Sequence, residues 1–570
     1  MAKSNWTRAW QPPDQSTSVG AEDAARKVTP LWRNNALLFV LIFVGIFLLH
    51  TPLLSVSYVW DEAGYYVPAA RDLLTGSLIP QTTVSNAHPP LVMAWLALWW
   101  KIVGYALPVT RTAMLAIAAF TLLGVFRLAE RVANTQVAIA VMICTAIYPV
   151  FFAQSSLVHL DLAAAGFTLW GLRSYIEDRR AATAIWFSLA SVAKETAIFA
   201  PLALLAWELI RPVLGKNGEA LRLSPAAGGR LLSLTIPALP LAIWFAYHYQ
   251  RKGYVFGNPE FFQYNVAATL NPLRILLAGG LRVWQLTGYM HLWLLTLATA
   301  LAMLLPPQKG DESQTRPRIA IPIQIVFLLL IVTYLAAMSM VGGAVLARYL
   351  LPVLPLGIVI CVSTLWRRVR YWGPVVAVVV LAFAAALFVD PPYGFPFEDN
   401  LAYHDYAILH QNAERFLEAR YPMARVLTAW PASDEITRPY LGYVTRPLRV
   451  LRIENFSLQE LAFASEARSE FDVVLVFSTK YLPPNALVTR WPRWERLQTR
   501  FFGFHRDLPP EAVASLLGGQ LVYNWGVRGQ WVGIIVMERV YEANSRSKSL
   551  ETEQSLLVSS VGPVSHLANK

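Results

Sequence analysis

Residues 36–56 read ALLFVLIFVGIFLLHTPLLSV, and residues 57–66, directly after, read SYVWDEAGYY. About 20 consecutive apolar residues are what one helix needs to cross the hydrocarbon layer of a bilayer. The first run meets that length, carries no Asp, Glu, Lys or Arg, and follows a polar stretch. No small-residue cleavage pattern comes after it, so it reads as a retained signal anchor. The second run places two adjacent acids, Asp61 and Glu62, where the chain leaves the membrane.

Apolar runs of the same kind recur, centred near residues 46, 119, 145, 167, 189, 204, 240, 298, 329, 357 and 380. They predict about eleven spans. Nearly all of them precede residue 389, whereas residues 390–570 alternate charged, aromatic and proline residues as a soluble chain does. The expected fold is therefore an all-α polytopic membrane body followed by a soluble α/β domain. The boundaries read as a tail over 1–34, a membrane domain over 35–390, an extracytoplasmic domain over 391–544 and a disordered tail over 545–570. Within the soluble part, 402–420 reads as a helix. Residues 425–430, 449–453 and 473–477 read as strands of a parallel sheet, closed by 531–540. Asp434 and Glu435 follow Ser433, which reads as a helix N-terminus and is given no chemistry.

Composition agrees with a membrane body: 55% of the residues are apolar and 20 are Trp. A net charge of +12 is what short basic cytoplasmic loops produce, so nucleic acid is not an expected partner. The two cysteines, Cys144 and Cys361, both lie in apolar runs, which argues against a disulfide framework or a cysteine metal site.

Charge also sets the sidedness. Residues 90–103 are apolar but short, with Trp95, Trp99, Trp100 and Lys101, and read as an interfacial helix. With that helix left out of the count and the N-terminus inside, the basic segments containing Arg173, Arg179, Arg180, Arg211, Lys216, Arg222, Arg230, Arg367, Arg368 and Arg370 all fall inside. The outer loops then hold 57–110, a short turn at 155–161, a tip near Lys194, a long loop over 250–288, and Arg348. The C-terminal domain follows an outward-going span. The expected location is a bacterial inner membrane, with the site and the C-terminal domain on the periplasmic side.

Two adjacent carboxylates suit general-base work, because their repulsion raises one pKa; they equally suit a helix N-terminus near Ala63. The whole constellation resembles the GT-C glycosyltransferases, in particular the protein O-mannosyltransferases and the lipid A aminoarabinose transferases. The resemblance is carried in order by Asp61-Glu62, His88-Pro89-Pro90-Leu91, Asp161 opening a span, Lys194-Glu195-Thr196-Ala197, Gly257-Asn258-Pro259 and Arg348-Tyr349-Leu350-Leu351-Pro352. It covers residues 35–390.

What the resemblance implies is a multi-pass transferase that takes a sugar from a polyprenyl phosphate and passes it, with inversion, to a protein, lipid or glycan acceptor on the outer face. Asp61 would be the base, Glu62 its helper or a cap, and Asp161 a second acid of the same cavity. Arg348 would bind the donor phosphate bidentately, or anchor lipid headgroups instead. Lys194 would meet the same phosphate or neutralise Glu195. His88 stands where the aminoarabinose transferases have lysine, and His159 where arginine is expected. Tyr254, Asn258 and Tyr264 would cover the donor from the long loop. No essential metal or other cofactor is expected, although a divalent ion is possible, since Asp61, Glu62, His88, His159 and Asp161 match no compact metal motif. A polymerase or ligase of lipid-linked glycans would share this chemistry. A transporter would instead place its charges at the membrane midplane between internal repeats, which the sequence does not show.

Overall fold

The computed structural model describes residues 34–214, 225–310, 314–484, 486 and 491–538. The expected tails over 1–34, apart from Asn34, and over 545–570, together with Lys216 and Arg222, lie outside the described residues. The chain forms two compact units. Of the described residues, the first takes those within 34–54, 68–389 and 398–400, and the second those within 55–67, 390–397 and 401–538.

The first unit is helical. Each apolar centre read from the sequence falls inside a helix, from Asn35–His50 to Trp372–Phe388. Among the described residues, five helical stretches are long and apolar enough to cross a bilayer: Asn35–Leu53, Leu107–Val132, Gly228–Lys252, Pro272–Met303 and Ile321–Met340. Together with the shorter apolar helices Leu91–Val103, Thr135–Ile147 and Trp372–Phe388, they make this a multi-pass membrane protein. Leu107–Val132 is the central one, 78% buried along its apolar window against 28% for Asn35–Leu53. The peripheral helices expose Leu48, Ile102, Leu276 and Leu381, as an apolar surface in contact with acyl chains must.

The segment expected to be a long loop over 250–288 is only partly one. It contains the helices Pro259–Asn265 and Pro272–Thr287. Arg274, Arg282 and Gln285 lower the hydropathy of the second helix and disguise it. All three are buried, and they bond to carbonyls of residues 338–346 rather than to solvent. At Met290 and His291 the backbone turns left-handed, and the helix Leu292–Met303 begins.

In the second unit a five-stranded sheet runs in the order β2-β1-β3-β5-β4, with β1 Arg425–Ala429, β2 Arg449–Ile453, β3 Val473–Phe477, β4 Gly519–Val527 and β5 Gln530–Met537. The first three strands are parallel, as expected. The last two are not: β5 runs antiparallel to β3 and to β4. The β4–β5 turn, Arg528-Gly529, has positive φ at both residues, which suits a tight hairpin. Every residue of β3 is buried, so the central strand is an unbroken apolar run. The helix Ala402–Arg420 packs on β5 and β4.

The segment 55–67 is built into this unit. The Tyr58 amide donates to the Leu441 carbonyl at 3.5 Å, Ser57 Oγ to the Gly442 carbonyl at 3.0 Å, and the Tyr443 hydroxyl to the Tyr58 carbonyl at 3.0 Å. Ser433 does not cap the short helix Ala432–Glu435; Pro431 precedes it, so that helix starts two residues earlier than expected.

Candidate active site

In the first unit the helices Asp161–Ile176 and Arg180–Ala193 form an antiparallel hairpin across the three residues 177–179. At 1.5 Å per residue they are roughly 24 Å and 21 Å long, so the start of the first and the end of the second lie at the same end. Asp161 is the first residue of one helix and Lys194 the cap of the other. Each charge therefore sits at the helix terminus whose dipole favours it. Lys194 Nζ donates to Asp161 Oδ1 at 2.5 Å, and both side chains are buried.

Arg348 joins them from the single turn Ala347–Leu350, between the helices Ile321–Met340 and Leu354–Arg368. Its Nε lies 3.6 Å from Asp161 Oδ2, and its Nη1 is bonded to Glu398 Oε2. Four buried charges thus alternate, Lys194–Asp161–Arg348–Glu398, and sum to zero. Burial alone would raise the Glu398 carboxyl, but Arg348 and His159 more than offset that and hold it below its ordinary value. The Tyr349 ring carries Lys194 Nζ 4.1 Å from its centroid, with the guanidinium carbons of Arg282 and Arg348 at 5.5 and 5.8 Å. The ring attracts each of these cations and offsets part of their mutual repulsion.

His159 is buried beside this row. Gln154 Nε2 donates to the Glu398 carbonyl at 3.0 Å, which turns Gln154 Oε1 to His159 Nδ1 at 2.6 Å. Nδ1 is thereby the donor to Gln154, and Nε2 lies between Arg348 Nη1 at 3.3 Å and Glu398 Oε1 at 3.5 Å. Next to Glu398, the buried Asp399 accepts from the Tyr289 hydroxyl at 2.6 Å. Burial pushes its carboxyl up to about 7.

Lys194 and Glu195 do not neutralise one another. Lys194 pairs with Asp161, while Glu195 Oε2 pairs with His88 Nδ1 at 3.0 Å. His88 belongs to a loop stitched to the long outer segment. The Tyr254 hydroxyl donates to the Ser85 carbonyl at 3.0 Å, Asn258 Nδ2 to Asn86 Oδ1 at 3.1 Å, and Trp244 Nε1 to the Ala87 carbonyl at 2.8 Å. Asn258 also caps the helix Pro259–Asn265. Tyr264 lies against Gly343, where an added Cβ would meet the ring at 2.3 Å. The loop 341–346 is in turn held by Arg274 and Arg282. Residues 85–88, 254–265 and 341–348 are therefore tied together by side-chain hydrogen bonds and packing.

Asp61 and Glu62 lie in the second unit, and the fold treats them differently. Trp60 has φ of +50°, a left-handed conformation that a bulky residue adopts only when its surroundings enforce it. Its ring is gripped edge-on by Trp430 at 5.0 Å and Phe397 at 5.4 Å. Glu62 is fully buried, and its Oε2 accepts from the Val59 amide at 3.0 Å, closing the turn. Asp61 is partly exposed and makes no side-chain cap bond to the π-helical turn Glu62–Tyr66. Gly64 on that turn abuts Trp430, whose Nε1 is 2.6 Å from where a Cβ would stand.

No family model matches the chain, and no curated protein matches it. Among solved structures it is similar to ArnT from Cupriavidus metallidurans bound to undecaprenyl phosphate, at 14% identity and TM-score 0.47, over 88% of this chain and 97% of that one. It is also similar to the Archaeoglobus fulgidus oligosaccharyltransferase, at 13% identity and TM-score 0.40 over 88% and 73% of the two chains. A third similar structure is the mycobacterial arabinofuranosyltransferase AftD, at 15% identity and TM-score 0.43 over 89% and 40%.

Sequence reasoning missed Gln154, Arg282, Tyr349, Glu398 and Asp399. A signal for the last two was present, since Phe397-Glu-Asp-Asn400 sets a second acidic pair just beyond the last apolar run, as Asp61-Glu62 does beyond the first. The two buried arginines of the helix Pro272–Thr287 gave none, because they resemble the polar residues of a loop.

Proposed function

We propose that this protein is a membrane glycosyltransferase that moves a sugar from a polyprenyl-phosphate donor to an acceptor on the outer face of the membrane, with inversion. The observation that carries the reading is the buried row Lys194–Asp161–Arg348–Glu398 at the helix ends of the helical unit. Burying four charges gains little stability over apolar packing, so ionisable groups at membrane depth are a sign of function. Two cations held ready by carboxylates suit the phosphate of a departing polyprenyl phosphate. The ordered motifs from Asp61-Glu62 to Arg348-Tyr349 support the same chemistry.

In this reaction Asp61 takes the proton of the acceptor hydroxyl or amine, whose lone pair forms the new bond to the anomeric carbon. The bond from that carbon to the phosphate oxygen breaks on the opposite face, and the electron pair leaves on the phosphate. Lys194 and Arg348 stabilise it there. Asp161 keeps both cations in place, His88 with Glu195 borders the donor, and Tyr254, Asn258 and Tyr264 cover it. Glu62 acts through the backbone turn that aims Asp61. No metal is assigned to the transfer step. The topology that goes with the reaction has about eleven spans in a bacterial inner membrane, with the C-terminal domain on the periplasmic side.

The test is transfer by the purified protein from a panel of labelled polyprenyl-phosphate sugars, with the acceptor identified by mass spectrometry. Asp61→Asn should fold and lose about 10² to 10⁴ in rate. Normal transfer by that variant would remove Asp61 as the base. No transfer from any donor, together with solute movement in proteoliposomes, would replace the reading with a transporter.

A further inference from the structure

On the helix Ala402–Arg420, residues Tyr406, His410 and Glu414 recur every four positions and so share one face. Glu435, the last residue of the short helix Ala432–Glu435, meets that face. His410 Nδ1 lies 2.8 Å from Glu435 Oε2 and 3.4 Å from Glu414 Oε1. One ligand atom from each of the three residues falls within 4.8 Å of the others. All three are buried, at 1% exposure or less. Neither Glu414 oxygen has a hydrogen-bond partner. Among the described residues neither Glu414 nor Glu435 is ion-paired with a lysine or arginine.

Two carboxylates and one imidazole in a dry pocket carry more negative than positive charge, and such a group is costly unless a cation or a proton compensates. We propose that His410, Glu414 and Glu435 bind one divalent transition-metal ion of the zinc class, which staples the two helices together. One imidazole nitrogen with two carboxylate oxygens is a donor set that suits such an ion. Zinc–ligand bonds of about 2.0–2.2 Å require donor atoms roughly 3–4 Å apart, which the observed spacing approaches with small side-chain adjustments. The surroundings orient the ligands. The Tyr406 hydroxyl donates to Glu435 Oε1 at 3.4 Å, and the His410 ring stacks on Tyr406 at 4.0 Å and meets Phe477 edge-on at 4.7 Å.

The competing occupant is a proton. Burial, reinforced by the Glu435 charge and the contact with its carboxyl, pushes the Glu414 carboxyl well above its ordinary value, which favours a proton where no cation is bound. The ion's effect would reach beyond the pocket. The helix that ends in Glu435 starts just after Trp430, whose ring holds Trp60 and abuts Gly64 on either side of Asp61. The proposed metal is structural and takes no part in the transfer step.

The experiment uses the full chain, purified in detergent, incubated with zinc, dialysed, and assayed by elemental analysis and thermal melting. About one tightly held zinc per chain is expected, with the melting temperature lowered by chelation and restored by zinc. His410→Ala, Glu414→Gln and Glu435→Gln should retain less than a tenth of that zinc. Glu418→Gln, one turn further on the same helix, should retain all of it. Cobalt should give visible d–d bands in the wild type and not in Glu414→Gln. A metal-free wild type in which Glu414→Gln melts at the same temperature or higher would show a shared proton instead and overturn the proposal. Zinc retained equally by all the ligand variants would place the ion elsewhere and overturn it as well.

Discussion

Lys194 is the residue whose neighbours most constrain its role. Removing its charge leaves the buried Asp161 with only the longer 3.6 Å contact to Arg348, and breaking one partner of a buried pair costs up to about 3–5 kcal/mol. Lys194→Met should therefore melt well below the wild type, whereas Asp161→Asn/Lys194→Met should recover most of the loss. Transfer should stay abolished in both if the ammonium serves the leaving phosphate. An active double variant would make the pair purely structural. Asp399 gives a separate prediction about pH. Its carboxyl is held near 7 when folded, against an ordinary 3.8, chiefly by burial. Below about pH 4 both states keep the proton and its contribution to stability is fully present. As pH rises towards 7 the unfolded chain releases the proton and the folded chain does not, so stability falls across that window. Asp399→Asn should flatten this part of the melting-temperature profile, and an unchanged profile would count against a neutral Asp399.

At the scale of elements, the π-helical turn Glu62–Tyr66 is fixed by its contact with Trp430 as much as by its own hydrogen bonds. Gly64→Ala would drive a methyl into the indole, and overpacking of this kind costs about 1–3 kcal/mol. It should lower both the melting temperature and the transfer rate. Trp430→Ala in the same chain should relieve the clash, so that the two changes are strongly non-additive. Additive losses would mean that the ring and the turn are not in contact. The sequence showed this turn only as two acids before a helix. Glu62 is buried and accepts from the Val59 amide, and neither fact follows from residue order.

For the whole molecule, sidedness is the property that the charge pattern predicts most directly. In a chain with Cys144 and Cys361 changed to serine, Gln459→Cys on the C-terminal unit should react with an impermeant maleimide on intact cells. Tyr371→Cys, in the basic segment after the helix Leu354–Arg368, should react only after permeabilisation. The opposite result would invert the topology and move Asp61 to the inner face. Consecutive residues alone place the apolar helices, an α/β unit after them, and the runs of Ala402–Arg420 and β1 to β3. These features depend on local periodicity and on the length needed to cross a bilayer, and both are written in consecutive residues. Only the tertiary structure decided that Lys194 belongs to Asp161 rather than to Glu195, and that Arg274 and Arg282 are buried braces. It alone showed that His410, Glu414 and Glu435 share one pocket. Those outcomes depend on which distant helix ends meet, and a charged side chain takes the partner that burial leaves within reach.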